Sequence, residues 1–122
     1  MFEISVRASF SSAHQLRGYK GKCENLHGHN WKVEAFIQAK GLNKQGMLLD
    51  FTDFKAALHN ILMEFDHKLL NDIPYFKKVN PTSENVAKCI YEKLNKQLSA
   101  VSCQLSTVSV WETDASCATY FK

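Results

Sequence analysis

The sequence has little of what several common classes of protein require. Its four cysteines, Cys23, Cys89, Cys103 and Cys117, form no CxxC pair, which favours reduced thiols over a disulfide framework or a cysteine-rich zinc knuckle. No apolar run approaches the length that spans a bilayer, and the chain does not start with the basic-then-apolar pattern of a signal peptide. The net charge of +3 is too small to indicate nucleic-acid binding by itself. We therefore expect a cytoplasmic protein with neither a membrane nor a nucleic acid as partner.

No repeat, linker or low-complexity segment divides the 122 residues, so we expect residues 1–122 to form a single domain. Apolar and polar residues alternate from Phe2 to Phe10, which predicts a strand that continues towards His14. The same alternation recurs after Trp31, in a second strand that starts at the HGH motif. A polar loop joins the two strands, and consecutive strands joined in this way most simply pair antiparallel.

In the second half of the chain the spacing of apolar residues changes. Three-and-four spacing of apolar residues predicts a helix over residues 52 to 65, and the PTSEN motif opens a second helix with Thr82 or Ser83 as N-cap. Residues 102–112 and 116–121 predict two further strands. The order ββααββ predicts an α+β domain whose four-stranded antiparallel sheet carries both helices on one face.

Two details complete the expected fold. The segment between the helices, residues 66 to 74, is rich in residues that break regular structure and is expected to be irregular. Phe36, Val108 and Val110 are apolar on the side of their strands that is expected to be polar. This pattern suggests that another subunit covers the second face or an edge of the sheet.

Three histidines are expected to meet at one end of the first strand pair. His27 and His29 flank a glycine, and residues two apart on an extended chain point to the same side. Antiparallel pairing puts the end of the first strand, with His14, beside the start of the second. Converging neutral imidazoles suit Zn²⁺, which takes three protein ligands in catalytic sites and four in structural ones. Histidines also occur in strands as ordinary polar residues, but three at one place favour a metal site.

The class of function depends on Cys23, which precedes His27 by four residues. As a fourth ligand, Cys23 would close a structural zinc site. Left unbound, a thiol near a cation and a histidine ionises readily and can act as a base or nucleophile, while the open metal position takes a hydroxyl or water. His67, which follows Asp66, is a candidate partner for this thiol. A polar pair at the end of a helix is the simpler interpretation of these two neighbours.

Glu112 and one basic cluster also have two interpretations each. Glu112, in the WET motif, is either an ordinary exposed carboxylate or a receptor for the two parallel N–H groups of a 2-amino-4-oxo-pyrimidine edge. Arg17, Lys20 and Lys22 in RGYKGK form either a solvated loop or a loop that binds phosphates. The residues themselves leave both choices open.

Taken together, these motifs resemble the 6-pyruvoyl-tetrahydropterin synthase family, and most closely its bacterial branch, the 6-carboxy-5,6,7,8-tetrahydropterin synthases of the queuosine pathway. The resemblance runs essentially from end to end. It rests on seven motifs in the order of the family: FSSAH at 10–14, CENLHGH at 23–29, LDF at 49–51, DH at 66–67, LLNDIP at 69–74, PTSEN at 81–85 and WET at 111–113.

The resemblance implies a metal site and a base. Zinc would be bound by His14, His27 and His29, and Cys23 would stay unbound as the general base. Three residues separate Cys23 from the HGH motif, as in the carboxy-tetrahydropterin branch, whereas the animal pyruvoyl enzymes have a longer interval.

The resemblance also implies roles for the remaining motifs. Asp66 and His67 would be the proton-handling partners of the base. Glu112 would anchor the amino-pyrimidine edge of a pterin, with Thr82 and Ser83 contacting the ring. The implied fold is the tunnelling fold, in which three subunits join their sheets into a barrel and two such rings stack. Active sites then lie between the subunits.

The implied reaction converts 7,8-dihydroneopterin triphosphate into 6-carboxy-5,6,7,8-tetrahydropterin and releases triphosphate and acetaldehyde. Zinc would polarise oxygens of the substrate side chain while a thiolate removes a proton. If the substrate is a triphosphate, Arg17, Lys20 and Lys22 would contact its phosphates. Two alternatives remain: a 6-pyruvoyl-tetrahydropterin synthase, which eliminates triphosphate without releasing acetaldehyde, and a non-enzymatic structural zinc module.

Overall fold

Two long strands form the centre of the molecule. The computed structural model describes residues 1–18 and 25–122. Strand β1 (Phe2–His14) and strand β2 (His27–Ala39) pair antiparallel along their full lengths, so that His14 lies opposite His27. This confirms both predicted strands and the way they pair. Because side chains alternate along an extended chain, one row of each strand faces the core and the other faces away from it.

The rest of the chain adds two long helices and several shorter elements. The first long helix packs on β1, the second packs on the last two strands, and the two helices contact each other. In chain order the elements are α1 (Phe51–Leu62), β3 (Lys68–Leu69), a 3₁₀ turn (Leu70–Asp72), α2 (Tyr75–Lys78), α3 (Ser83–Ser99), β4 (Leu105–Thr113) and β5 (Ser116–Phe121). Within the described ranges, the helices are too short or too polar to cross a membrane.

The sheet has five strands in the order β3-β1-β2-β4-β5, and β3 runs parallel to β1. The predicted four-stranded antiparallel sheet and the order ββααββ were therefore wrong, since β3 and α2 are inserted between the long helices. Both elements fall in or next to the segment that was expected to be irregular. A strand of two residues shows no alternation and a helix of four shows no period, so neither leaves a pattern in the sequence.

Hydrogen bonds from side chains fix where the long helices begin. The Asp50 carboxylate accepts a hydrogen bond of 2.8 Å from the Thr52 amide at the start of α1. The Thr82 hydroxyl accepts one of 3.2 Å from the Asn85 amide at the start of α3, so Thr82 is the N-cap. Each cap satisfies an amide that has no partner within its helix.

A bulge at Ser106 changes which side chains of β4 face the core. The register between β2 and β4 shifts by one residue there, which reverses the alternation. Leu105, Val108 and Val110 consequently all point to the core, with at most 1% of their surface exposed. The expectation that Val108 and Val110 lie on the polar side was wrong. Phe36 does lie on the opposite face, where it is half-buried.

A substitution in the segment after α1 tests whether this segment belongs to the core. Leu70 is fully buried, so we expect Leu70→Ala to lower the free energy of unfolding by about 2–5 kcal/mol, the usual cost of such a truncation. Leu42, in the turn after β2, is 43% exposed and provides the control. We expect Leu42→Ala to change stability by less than about 1 kcal/mol. Urea denaturation would measure both, and equal effects would contradict the buried position of Leu70.

Candidate metal centre

Three histidines meet at the end of the β1–β2 pair. His14 lies opposite His27, and His29 lies opposite Ser12, so all three belong to the rows that face the core. These rows also contain Trp31, whose ring centroid is 4.9 Å from that of His14 and 5.5 Å from that of His29. The core therefore runs directly into the histidine cluster, and its packing restricts the imidazoles.

A carboxylate from β4 completes this group. Glu112 Oε1 lies 2.9 Å from His14 Nε2, 3.1 Å from His29 Nε2 and 4.0 Å from His27 Nε2. One potential ligand atom from each of the four residues lies within 4.8 Å of the others. The structure thus brings Glu112 to the histidines, although sequence reasoning had assigned it to the substrate. The contact depends on the register between β2 and β4, which local patterns do not reveal.

Backbone carbonyls fix the tautomers of two rings. His14 Nδ1 lies 2.7 Å from the Pro81 carbonyl oxygen, and His27 Nδ1 lies 2.7 Å from that of Asn25. A carbonyl oxygen can only accept, so each Nδ1 carries the hydrogen and donates it. In the neutral rings the Nε2 lone pairs then face each other across 2.9 Å. Such an arrangement is typical of metal-binding histidines, whose second nitrogen is held by a carbonyl.

The third ring has a buried nitrogen without a hydrogen bond. His29 Nε2 has no hydrogen-bond partner among the described residues, although the nearest Glu112 oxygen is 3.1 Å away. Burial lowers the pKa of His29; the Glu112 carboxylate opposes this, while positive charge on His14 or His27 adds to it. A neutral imidazole is therefore favoured. Three ring nitrogens and a carboxylate oxygen around one point fit a divalent cation.

Glu112 also borders a cavity beside this centre. The cavity has a volume of about 350 Å³ and lies between the N-terminal turn of α3, with Ser83 and Glu84, and strand β5, with Cys117 and Thr119. The Glu112 side chain is 26% exposed, so it can be reached from this cavity while one of its oxygens contacts the histidines. The carboxylate is thus placed either to complete a metal site or to bind a molecule in the cavity.

Asp66 and His67 lie at the outer edge of β1, outside the four-residue group. Asp66 accepts a 2.8 Å hydrogen bond from the Ser11 amide and lies 3.0 Å from His67 Nδ1. The Ser11 amide is the main cause of the lowered pKa of Asp66, to which His67 adds. His67 has a φ of 57°, unfavourable for a residue with a side chain, and its amide is held by the Ser11 carbonyl at 2.6 Å. Sequence reasoning missed Ser11, because its contribution comes from the backbone.

The predicted base and most of the basic cluster cannot be compared with the structure. Cys23, Lys20 and Lys22 lie outside the described residues. Arg17 is described, and its Nη2 donates to the carbonyl oxygens of Phe76 and Val79. This guanidinium is therefore engaged by the backbone at the end of α2, which favours a structural role over a phosphate contact.

The sheet, the helices and the four converging side chains define an α+β protein with a candidate metal centre at the end of its central strand pair. The family profile described as 6-pyruvoyl tetrahydropterin synthase matches residues 3–122. A 6-carboxy-5,6,7,8-tetrahydropterin synthase of Synechocystis sp. is 36% identical in an alignment of 126 positions that covers 99% of this chain and 94% of that protein. The human 6-pyruvoyl tetrahydrobiopterin synthase is 36% identical in an alignment of 132 positions that covers 97% of this chain and 90% of that protein.

A solved structure agrees with these sequence matches. The 6-pyruvoyl tetrahydropterin synthase of Caenorhabditis elegans superposes with a TM-score of 0.89 at 31% identity, over 99% of this chain and 95% of that one. The chain therefore belongs to the 6-pyruvoyl tetrahydropterin synthase family, and it is an enzyme of the pterin-processing lyase class. This confirms the resemblance found in the sequence.

Removing one imidazole tests the metal centre. We expect His29→Ala to weaken retention of a divalent cation by at least roughly 10- to 100-fold, the loss typical of removing even a supporting partner of a ligand. His59→Ala is the matched control, since His59 is exposed on α1. Cation content after dialysis, measured by mass spectrometry, would separate the two variants. Equal retention in His29→Ala and the wild type would contradict a metal site at this cluster.

Proposed function

We propose that the chain is a zinc-dependent lyase that converts 7,8-dihydroneopterin triphosphate into 6-carboxy-5,6,7,8-tetrahydropterin, with release of triphosphate and acetaldehyde, on the route to queuosine and related 7-deazaguanines. One observation carries the proposal. Three histidine Nε2 atoms converge, and Glu112 lies between these atoms and a cavity. Similarity to proteins that bear this name supports the choice of product. We expect the enzyme to work in the cytoplasm.

In this proposal His14, His27 and His29 hold the zinc ion. Carbonyl contacts at Nδ1 orient the rings of His14 and His27, and burial favours the neutral form of His29, which a zinc site requires. When bound, the ion supplies a Lewis acid that polarises the oxygen substituents of the substrate side chain. Because the rings are fixed by strand pairing and backbone carbonyls, little reorganisation accompanies binding.

The pterin would occupy the cavity beside Glu112. A carboxylate can accept both N–H bonds of the 2-amino-4-oxo-pyrimidine edge. Ser83 lines the same cavity, and Thr82 precedes it as the N-cap of α3, so both lie where a ring anchored on Glu112 can be contacted. In this arrangement the ring lies beside the histidines, and its side chain can reach them.

Proton transfer is assigned to Cys23, Asp66 and His67. The Cys23 thiolate acts as general base at the carbon next to a hydroxyl-bearing carbon. Asp66 is ionised at neutral pH, since its pKa is lowered mainly by the Ser11 amide. It can therefore orient His67 through Nδ1 and stabilise the charged imidazole, leaving Nε2 free to exchange a proton with the thiol.

We infer that two copies of the chain build each active site. Asp66 and His67 stand outside the histidine group, and the His67 side chain is 82% exposed, so it is available to a neighbouring molecule. Within the described ranges, β1 pairs with β3 only at Ser12 and Ala13, and the outer edge of β5 has no partner strand. Such edges can pair between copies and close a ring. We propose three copies per ring and two stacked rings, with a pterin triphosphate as the small-molecule partner.

A 6-pyruvoyl-tetrahydropterin synthase is the second candidate, favoured by the similarity to the human enzyme of that class. It would use the same metal site and base but would release no acetaldehyde. A purely structural zinc module, closed by Cys23, fits less well because Glu112 already contacts His14 and His29.

Product identification tests the reaction. We expect the zinc-loaded protein to form 6-carboxy-5,6,7,8-tetrahydropterin, triphosphate and acetaldehyde from 7,8-dihydroneopterin triphosphate. Chromatography with mass spectrometry, together with trapping of the aldehyde, would measure this. Cys23→Ala should keep its zinc and its fold but lose at least roughly 100-fold in turnover, as expected when a general base is removed. Formation of a pyruvoyl product without acetaldehyde would support the second candidate instead.

Mixing two inactive variants tests the shared site. His27→Ala removes a metal ligand and His67→Ala removes a proton-handling group, so each variant alone should be inactive. If one copy supplies the metal and another supplies His67, co-assembly at equal amounts should restore about a quarter of wild-type activity, because one in four random pairings is intact.

The control is a mixture of His27→Ala with His29→Ala, in which both variants lack the metal. This mixture should stay inactive. Failure of the first mixture to recover activity, with co-assembly verified by native mass spectrometry, would show that each site lies within one copy.

A further inference from the structure

Two asparagines hold the backbone that follows the metal ligand His14. Asn71 Oδ1 accepts a 2.9 Å hydrogen bond from the Gln15 amide, and Asn71 Nδ2 donates a 2.7 Å bond to the Gln15 carbonyl. Asn80 makes the same two bonds with Arg17: its Oδ1 accepts from the amide at 2.8 Å, and its Nδ2 donates to the carbonyl at 2.7 Å. Each carboxamide therefore satisfies both backbone groups of one residue, as a partner strand would.

These contacts continue the edge of β1 beyond the end of the strand. Alternate residues of a strand present their backbone groups to the same edge. On this edge Ser11 bonds with Asp66 and His67, and Ala13 pairs with β3. Gln15 and Arg17 are next in the same series. Side chains from the region between α1 and α3 thus replace a strand where the sheet itself has stopped.

The same region also fixes the His14 ring. Pro81, whose carbonyl holds His14 Nδ1, directly follows Asn80. The Asn80 carbonyl accepts a 2.9 Å bond from Asn85 Nδ2, which connects it to the first turn of α3. The ring of His14 and the backbone of Arg17 are therefore held by adjacent residues, and a displacement of one would move the other.

We propose that Asn71 and Asn80 are positioning residues for the reaction. They hold Gln15 and Arg17, and thereby fix the direction in which the chain that leads to Cys23 leaves the His14 end of the metal centre. The assignment rests on the proposed function, because Cys23 has its role only there. It accounts for two carboxamides that each bond to both backbone groups of one residue in the same short stretch of chain.

Aspartate substitutions test this role with little change in shape. Asn80→Asp and Asn71→Asp keep an oxygen that accepts from the backbone amide, but they lose the donor and place a negative oxygen against a carbonyl. Asn71→Asp covers the case in which Asn80→Asp does not fold. Asn43→Asp is the matched control: its Oδ1 also accepts from backbone amides, at 3.0 Å, in the turn after β2.

Three measurements on the zinc-loaded full chain are decisive. We expect amide hydrogen exchange in peptides covering residues 15–18 to rise at least roughly 10-fold in the two variants, because each one loses its bond to a backbone carbonyl and places a negative oxygen against that carbonyl. We expect kcat to fall roughly 10- to 100-fold with zinc retained, as for other groups that orient catalytic residues. The pH dependence of Cys23 alkylation by iodoacetamide should shift as well. Asn43→Asp should match the wild type in all three.

The outcomes separate positioning from a purely structural role. Lower thermal stability with unchanged kcat and an unchanged alkylation profile would overturn the proposal, as would unchanged hydrogen exchange. If the wild type itself forms no pterin product, the proposed function fails, and the alkylation profile then decides alone. In that case a shifted profile in both variants supports positioning of Cys23, and a wild-type profile overturns it.

Discussion

The antiparallel register of β1 and β2 is the constraint on which the rest of the structure depends. It aligns a row of buried side chains in which Phe10 stacks on Trp31 with ring centroids 5.7 Å apart, and the same row ends in His14, His27 and His29. A slip of one residue would move the entire row to the other face. The hydrophobic core thus selects the register, and the register positions the histidines. Metal binding then needs no separate scaffold.

The cost of this arrangement is electrostatic. With Nδ1 donating to a carbonyl in both His14 and His27, the facing nitrogens repel each other unless a proton or a metal ion lies between them. A proton would relieve one pair only, and burial opposes a charged His29. A divalent cation satisfies every atom at once. The folding free energy that fixes the rings would therefore also prepare the site for a metal ion, as it does for preorganised ligands in general.

Alternation and helical spacing of apolar residues predicted most of the fold, and they also predicted that the three histidines meet. Alternation alone located His14 beside His27, because pairing of neighbouring strands is the simplest topology. The misassigned positions on β4 share one cause, since they depend on contacts between residues far apart in sequence. Ser106 forms a bulge only against β2, and Glu112 meets the histidines only through the register of β4. Asn71 gave no specific signal, since asparagine in such a segment is typical of turns in general.

The region between the long helices has no regular sequence pattern, yet it makes many of the contacts near the candidate site. It supplies Asp66 and His67, a two-residue strand and the two carboxamides, all along one edge of β1. A full strand could have covered this edge, but it would have offered only backbone groups. Single side chains reach the same amides and carbonyls while the chain turns towards α3. The segment therefore joins three tasks: it closes the edge, holds the Asp66–His67 pair and fixes the backbone next to His14 of the candidate metal centre. Regular secondary structure would satisfy only the first.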